Sequence, residues 1–276
     1  MSWRFPSRLF YSEGFFYLTL LTSMENNLST ATKLTIALRP LFSFGWRMLL
    51  TLTVCRIIFV AWQWQRIVDA DMLGSIFFQG LKIDLVLLGL MLSIPVLFFP
   101  ILASNRFLVP AWRGLLNVCL PAALLVIVLM ECSTPSFVDQ FDSRPNILFL
   151  EYLVHPRDVG ATLWAAYKLP IVFAVLFVIT VTLVNSRQIG RLVTPIRPTG
   201  VVPSILVTPV LLILCLGLIR STLDNHPVNP GSTAVSSDPF VNDLALSSAF
   251  NALYTVDTTR HESAGGHQYA GIESVN

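Results

Sequence analysis

Residues 131–158 read ECSTPSFVDQFDSRPNILFLEYLVHPRD. This is the only long polar connection between two strongly apolar segments of the chain. It alternates aromatic and charged residues, which a passive linker does not need. Before it lies GLLNVCLPAALLVIVLM, about residues 114–130, and after it LPIVFAVLFVITVTLV, about residues 169–184. Runs of this kind match the roughly 17–25 helical residues that cross a hydrocarbon core. The stretch from Glu131 to Lys168 is therefore read as a loop on one membrane surface.

Three further runs have the same character: about 43–64, 83–102 and 201–219. Pro95, Pro121 and Pro209 fall inside the runs, and membrane helices tolerate proline where neighbours satisfy the freed backbone groups. Composition agrees, with 54% hydrophobic and 12% charged residues and a mean hydropathy of +0.68. A soluble domain carries about 25% charged residues. The expected fold is all-α and integral to a membrane, with five transmembrane helices. A net charge of +2 and the lack of a basic–aromatic stripe exclude a nucleic-acid partner as a reading. Cys55, Cys119, Cys132 and Cys215 have neither disulfide-framework nor zinc spacing.

Lysine and arginine set the expected orientation. With the N-terminus inside, ten fall on the inner side, mostly in short loops, and six on the outer side in much longer segments. This places the C-terminus outside. Trp62 and Trp64 then sit at the outer interface. Residues 1–42 become a cytoplasmic arm, 43–219 the five-helix domain and 220–276 an outer tail. The arm lacks a convincing signal-peptide core or cleavage site, and Met24 opens a cleaner lead-in, so the start at Met1 or Met24 is left open.

Within the outer loop, Asn146–Val154 has helix-like apolar spacing and is read as a short interfacial helix. Phe137, Phe141, Phe149 and Tyr152 would be interfacial anchors. The tail is extended over its Pro-, Ser- and Asn-rich first part and then helical over Asp243–Tyr254, with Asn242 or Asp243 near its cap.

Two charges fall within spans: Arg56, about two-thirds of the way outward in the first, and Asp84 at the outer end of the second. A charge inside a bilayer costs about 2.5–3.5 kcal/mol on insertion scales, so each requires a partner. The antiparallel course of the two helices puts both at one depth, and an Arg56–Asp84 pair is expected. Glu131 and Arg220 end the third and fifth spans on the same side. The four charges are read either as helix-packing glue or as a seat for an anionic lipid headgroup. Arg144, Glu151 and Arg157 are the outer-loop candidates for contact with the tail or a headgroup.

GLKIDL (80–85) opening the second span, SRPNILFLEYLVHPRDV (143–159) and RSTLDNHPVNPGSTAVSSDPFVNDLALSSAFNALY (220–254) carry a resemblance. With five spans and an arginine in the first, the chain from about Arg39 to Arg260 resembles the membrane half of the lipoteichoic acid synthase and phosphoglycerol transferase family, of the sulfatase/alkaline-phosphatase superfamily. The resemblance implies a bacterial cytoplasmic (inner) membrane location and a phosphatidylglycerol-like lipid partner. It also implies an extracytoplasmic α/β domain with a nucleophilic threonine and manganese or magnesium. No such domain is read after Arg260, so no catalytic or metal residue is carried over and no cofactor is assigned to this chain. His155, His226, His261 and His267 form no metal constellation in sequence.

Two accounts follow: a fragment or split product that anchors an enzyme, or a separate membrane subunit served by a sulfatase-type catalytic chain. An envelope assembly protein without catalysis and a small transporter are the alternatives, the latter disfavoured by spans that carry few polar residues and no paired broken helices. Phosphate loops, Rossmann fingerprints, nucleophile elbows, HExxH and CxxC are all missing from the sequence.

Overall fold

The computed structural model describes residues 28–68, 72–152, 167–221 and 239–273, and positions 154, 157, 160–161, 164–165, 229–231 and 236 between them. The arm up to residue 27, and His155 and His226, lie outside the described residues. Among the described residues the chain is helical, and five helices are long and apolar enough to cross a membrane. These are α1 (Thr30–Trp62), α3 (Leu73–Leu102), α4 (Val109–Phe141), α6 (Lys168–Val193) and α7 (Val201–Arg220). Among the described residues four shorter or tail helices accompany them: α2 (Trp64–Val68), α5 (Ile147–Tyr152), α8 (Pro239–Ala245) and α9 (Ser248–Glu273).

The turns fix the alternation of the long helices. At one end Ala103 O accepts from Thr199 N at 3.0 Å and from Thr199 Oγ1 at 2.9 Å. Ser104 O there accepts from Gly200 N at 3.2 Å. The α3–α4 and α6–α7 turns are thus tied together. At the opposite end Arg66, just after α1, pairs with Asp142, just after α4, at 2.6 Å. Ser221 Oγ, just after α7, donates to Lys82 O of α3 at 3.2 Å. Helices α1, α4 and α7 therefore run one way, and α3 and α6 the other.

Four of the five helices are longer than their hydropathy suggests, α7 matching its apolar run, because a helix ends where its backbone is capped rather than where apolarity stops. The first starts at Thr30, with Ser29 Oγ accepting from Thr32 N at 3.2 Å. Its early turns bury Ala37, Pro40 and Leu41, so residues 30–42 belong to the bundle rather than to an arm. The third does not end near Glu131. It continues to Phe141 with Thr134, Phe137 and Val138 buried on one side, and stops where Asp142 turns left-handed at φ 48°. A short polar side chain tolerates that conformation. The loop accordingly begins at Asp142.

The main core joins α1, α3 and α4 through Phe44, Met48, Leu87, Phe99, Trp112 and Leu116. Phe99 and Trp112 meet edge to face with centroids 5.5 Å apart. Helix α7 packs most extensively on α3, and α6 on α4. The α3–α7 contact is close because Gly89 has no side chain: a Cβ there would lie 2.9 Å from Cys215 O and from Leu218 Cβ. Gly217 of α7 faces open space.

This contrast is testable by thermal unfolding in detergent. Gly89→Ala should destabilise by about 1–3 kcal/mol through overpacking. Gly217→Ala should be neutral or stabilise by roughly 0.5–1 kcal/mol, the usual helical preference for Ala over Gly.

Candidate functional site

The tail returns to the bundle. Phe240 and Leu244 are 2% and 0% exposed, packed with Phe59, Ile76 and Val138. Leu246 and Phe250 pack with Ile83 and Val86 of α3. The spacing of Phe240 and Leu244 is a helical i, i+4 pair, a signal of burial that the Pro- and Ser-rich surroundings mask.

The expected single helix over 243–254 is instead two. Helix α8 stops at Ala245 and α9 begins at Ser248. The break is held by side chains of the bundle. Arg144 Nε donates to Asp243 O at 2.6 Å, and Arg56 Nη2 donates to Ala245 O at 3.4 Å. Both are carbonyls at the end of α8, where the helix offers no further partner to Ala245 O, and Asp243 O accepts only a turn bond from Leu246 N at 3.2 Å. On the other side of the break, Ser248 N donates to Glu131 Oε1 at 2.7 Å. Ser247 Oγ accepts from Phe250 N at 3.3 Å, as an N-cap does. A carboxylate at the first turn of α9 also suits the helix dipole.

The expected Arg56–Asp84 pair is present and bidentate, with Nη1 to Oδ2 and Nη2 to Oδ1 both at 2.8 Å. The two side chains are 3% and 0% exposed. Arg56 Nη2 also donates to Gly80 O at 3.2 Å. A Cβ on Gly80 would lie 2.4 Å from Arg56 Cζ, so glycine makes room for the guanidinium.

A second buried pair lies beside it. Arg144 Nη1 donates to Glu131 Oε2 at 3.0 Å and to Ser248 Oγ at 3.2 Å. The Ser248 hydroxyl also bonds Thr134 Oγ1 at 2.6 Å. Arg144 is 1% exposed, and its guanidinium stands 4.9 Å from the Phe59 ring centroid. Its backbone N donates to Asp243 Oδ2 at 3.1 Å. Burial raises the Asp243 carboxyl pKa, and the Arg144 amide and charge pull against that rise. At the rim, Asp142 is held below the usual carboxylate range by its hydrogen bonds to Arg66. Arg66 also stacks 3.9 Å from the Phe240 ring centroid.

Of the residues singled out from sequence, the structure gathers Arg56, Asp84, Glu131 and Arg144. Arg220 is the exposed last residue of α7, and Glu151 and Arg157 are exposed on the loop. Phe137, Phe141, Phe149 and Tyr152 meet in tilted and edge-to-face pairs, with Phe137–Phe141 centroids 4.6 Å apart, and fasten α5 to the end of α4. Thr134, Asp243 and Ser248 were not among the residues singled out as a site. Their only signal was the apolar spacing that brings the tail into the core. Among the described residues no three His, Cys, Asp or Glu side chains converge to hold a metal ion.

No family model and no solved structure matches this chain.

Removing one partner of a buried ion pair leaves an uncompensated charge. Arg56→Ala or Asp84→Ala should each cost about 3–5 kcal/mol, whereas Arg56→Met combined with Asp84→Leu should recover much of that loss. Unfolding of the three variants in detergent checks the cycle. A double variant no better than either single would show that the Arg56 contact with Ala245 O, rather than the pair itself, dominates.

Proposed function

We propose that the chain is the membrane-anchoring and lipid-orienting module of a phosphoglycerol-transferase-like envelope enzyme of the sulfatase superfamily. The observation that carries the reading is the docked tail. Helices α8 and α9 are not a loose tether. They are keyed into the bundle through the carbonyls of Asp243 and Ala245 and the amide of Ser248. Asn251 Nδ2 adds a bond to Pro145 O at 3.1 Å, so the loop after α4 also grips α9. A helix fixed this way presents whatever adjoins it at a set height and direction. An enzyme that attacks a lipid headgroup needs such positioning, because proximity and orientation account for a large part of a catalytic barrier.

In this reading α8, α9 and the 142–167 loop lie outside the cytoplasmic membrane of a bacterium, the loop helix α5 rests at the interface, and the N-terminus is inside. The Lys and Arg distribution supports that placement. A sulfatase-type domain bearing the threonine nucleophile and a manganese or magnesium ion supplies the chemistry, from this polypeptide or another. The lipid worked on is phosphatidylglycerol-like.

The function is tested in membranes of the source cell. Deleting the chain should abolish manganese-dependent release of diacylglycerol from phosphatidylglycerol, and re-expression should restore it. Release unchanged by the deletion would overturn the reading, and so would release by the purified 276-residue chain alone. Orientation is tested separately with alkaline phosphatase fusions. Fusion after Arg260 should be active, and fusion at Arg106 inactive.

A further inference from the structure

A cleft of about 630 Å³ opens between α1, α4 and α6, in the half of the bundle nearest the docked tail. Its floor is Phe59 and Cys132, and its rim is Ile58, Trp62 and Phe173. The rim residues are 59%, 46% and 70% exposed, so the cleft opens sideways, away from the bundle axis. Because α1, α4 and α6 are all long and apolar enough to cross a membrane, that sideways opening faces the bilayer. We infer that the cleft holds one acyl chain of a phospholipid from the leaflet on the tail side.

Three observations select this occupant. The wall is almost wholly apolar, and its one charged member, Glu131, has its two oxygens engaged by Arg144 and Ser248. Thr134 is likewise bonded to Met130 O and to Ser248. Ser136 is the remaining hydroxyl of the wall, so a polar solute would lose its hydration for few partners, a penalty of at least a few kcal/mol per group left unpaired. An apolar chain loses nothing, and it restores the dispersion contacts that an empty cleft would forfeit. The volume lies within the range of roughly 300–1,000 Å³ typical of small-molecule sites. Finally, the opening lies in the outermost layer of the bundle. Only 11% of the α6 span is buried against protein, compared with 39% for α1 and α4. Lipid is thus the neighbour already present along this helix.

The consequence is positional. An acyl chain in the cleft would run along Glu131 and Thr134, the side chains that hold the first turn of α9. The lipid headgroup would then emerge beside the docked tail. This inference needs the bilayer placement but not the transferase reading. Its readout is lipid contact rather than phosphoglycerol release, so either can fail alone.

The test uses the full chain in nanodiscs of phosphatidylcholine doped with phosphatidylcholine carrying a diazirine midway along one acyl chain. After illumination, adducts are located by mass spectrometry. Adducts at Cys132–Ser136 and Phe173–Phe177 should exceed those at Leu206 and Ile213, which are exposed on α7, by several-fold. Ala174→Trp, which fills the cleft, should remove that excess and leave labelling at Leu206 unchanged. Equal labelling of cleft and α7 positions in the wild-type chain would overturn the inference whether or not the variant folds. So would an excess that survives Ala174→Trp in a folded variant. Repeating the labelling with a phosphatidylglycerol probe reads the headgroup separately, because an acyl-chain site should give the same cleft pattern with both.

Discussion

The break between α8 and α9 leaves backbone groups without helical partners in a place closed to water. Ser247 and Ser248 are 1% and 0% exposed. A buried backbone group left unpaired costs about as much as a lost hydrogen bond, and usually more than one pairing gains. Two arginines and a glutamate remove that problem. Arg144 and Arg56 take the carbonyls of Asp243 and Ala245, and Glu131 takes the amide of Ser248. Ordinary caps use a neighbour in sequence. Here Ser247 caps α9 locally, but the remaining partners come from α1, from α4 and from the turn after α4, so the break is fully satisfied only when the tail is seated on the folded bundle.

Charges used as caps in such a place must themselves be neutralised. Asp84 serves Arg56 and Glu131 serves Arg144, and all four side chains are nearly inaccessible. A buried ion pair is weak evidence for stability by itself, since desolvation offsets its attraction. Its value here is specificity. Arg144 keeps Nε for Asp243 O of the tail, and Arg56 Nη2, besides serving Asp84 and Gly80 O, reaches Ala245 O. Replacing the pairs by hydrophobic residues would keep the bundle packed but would leave the ends of α8 and α9 with nothing to bind. Gly80 belongs to the same arrangement, because any side chain there would meet the Arg56 guanidinium.

Much of this architecture was legible in the sequence because hydropathy and helix length are dictated by the solvent. Five apolar runs gave five helices long and apolar enough to span, and the depth argument for Arg56 and Asp84 gave the pair that is present. The helix ends were not legible, because hydropathy marks where lipid stops and not where backbone hydrogen bonds do. Glu131 looked like a terminus for that reason, yet α4 runs on to Phe141. Arg144 reads in the sequence as an outer-loop charge for contact with the tail or a headgroup; it does bond the tail, and what the sequence does not show is its burial. Its partners, Asp243 and Ser248, lie 99 and 104 residues away. No local pattern reports a contact of that range. Helical spacing in the tail was visible over 243–254, but the break was not, since its cause is in other helices.

The grip on α9 comes from two independent directions. Glu131 and Thr134, on successive turns of α4, hold Ser248, while Pro145 in the turn beyond α4 holds Asn251. One such contact would leave the helix free to pivot. Two contacts one turn apart on α9, from elements that are themselves braced by Phe137, Phe141 and Phe149, fix its axis. A flexible linker of the same length would sample many positions, whereas a braced helix holds one. The polar core built around the tail supplies that bracing, and the charges that hydropathy marks as anomalies in the spans lie at its root.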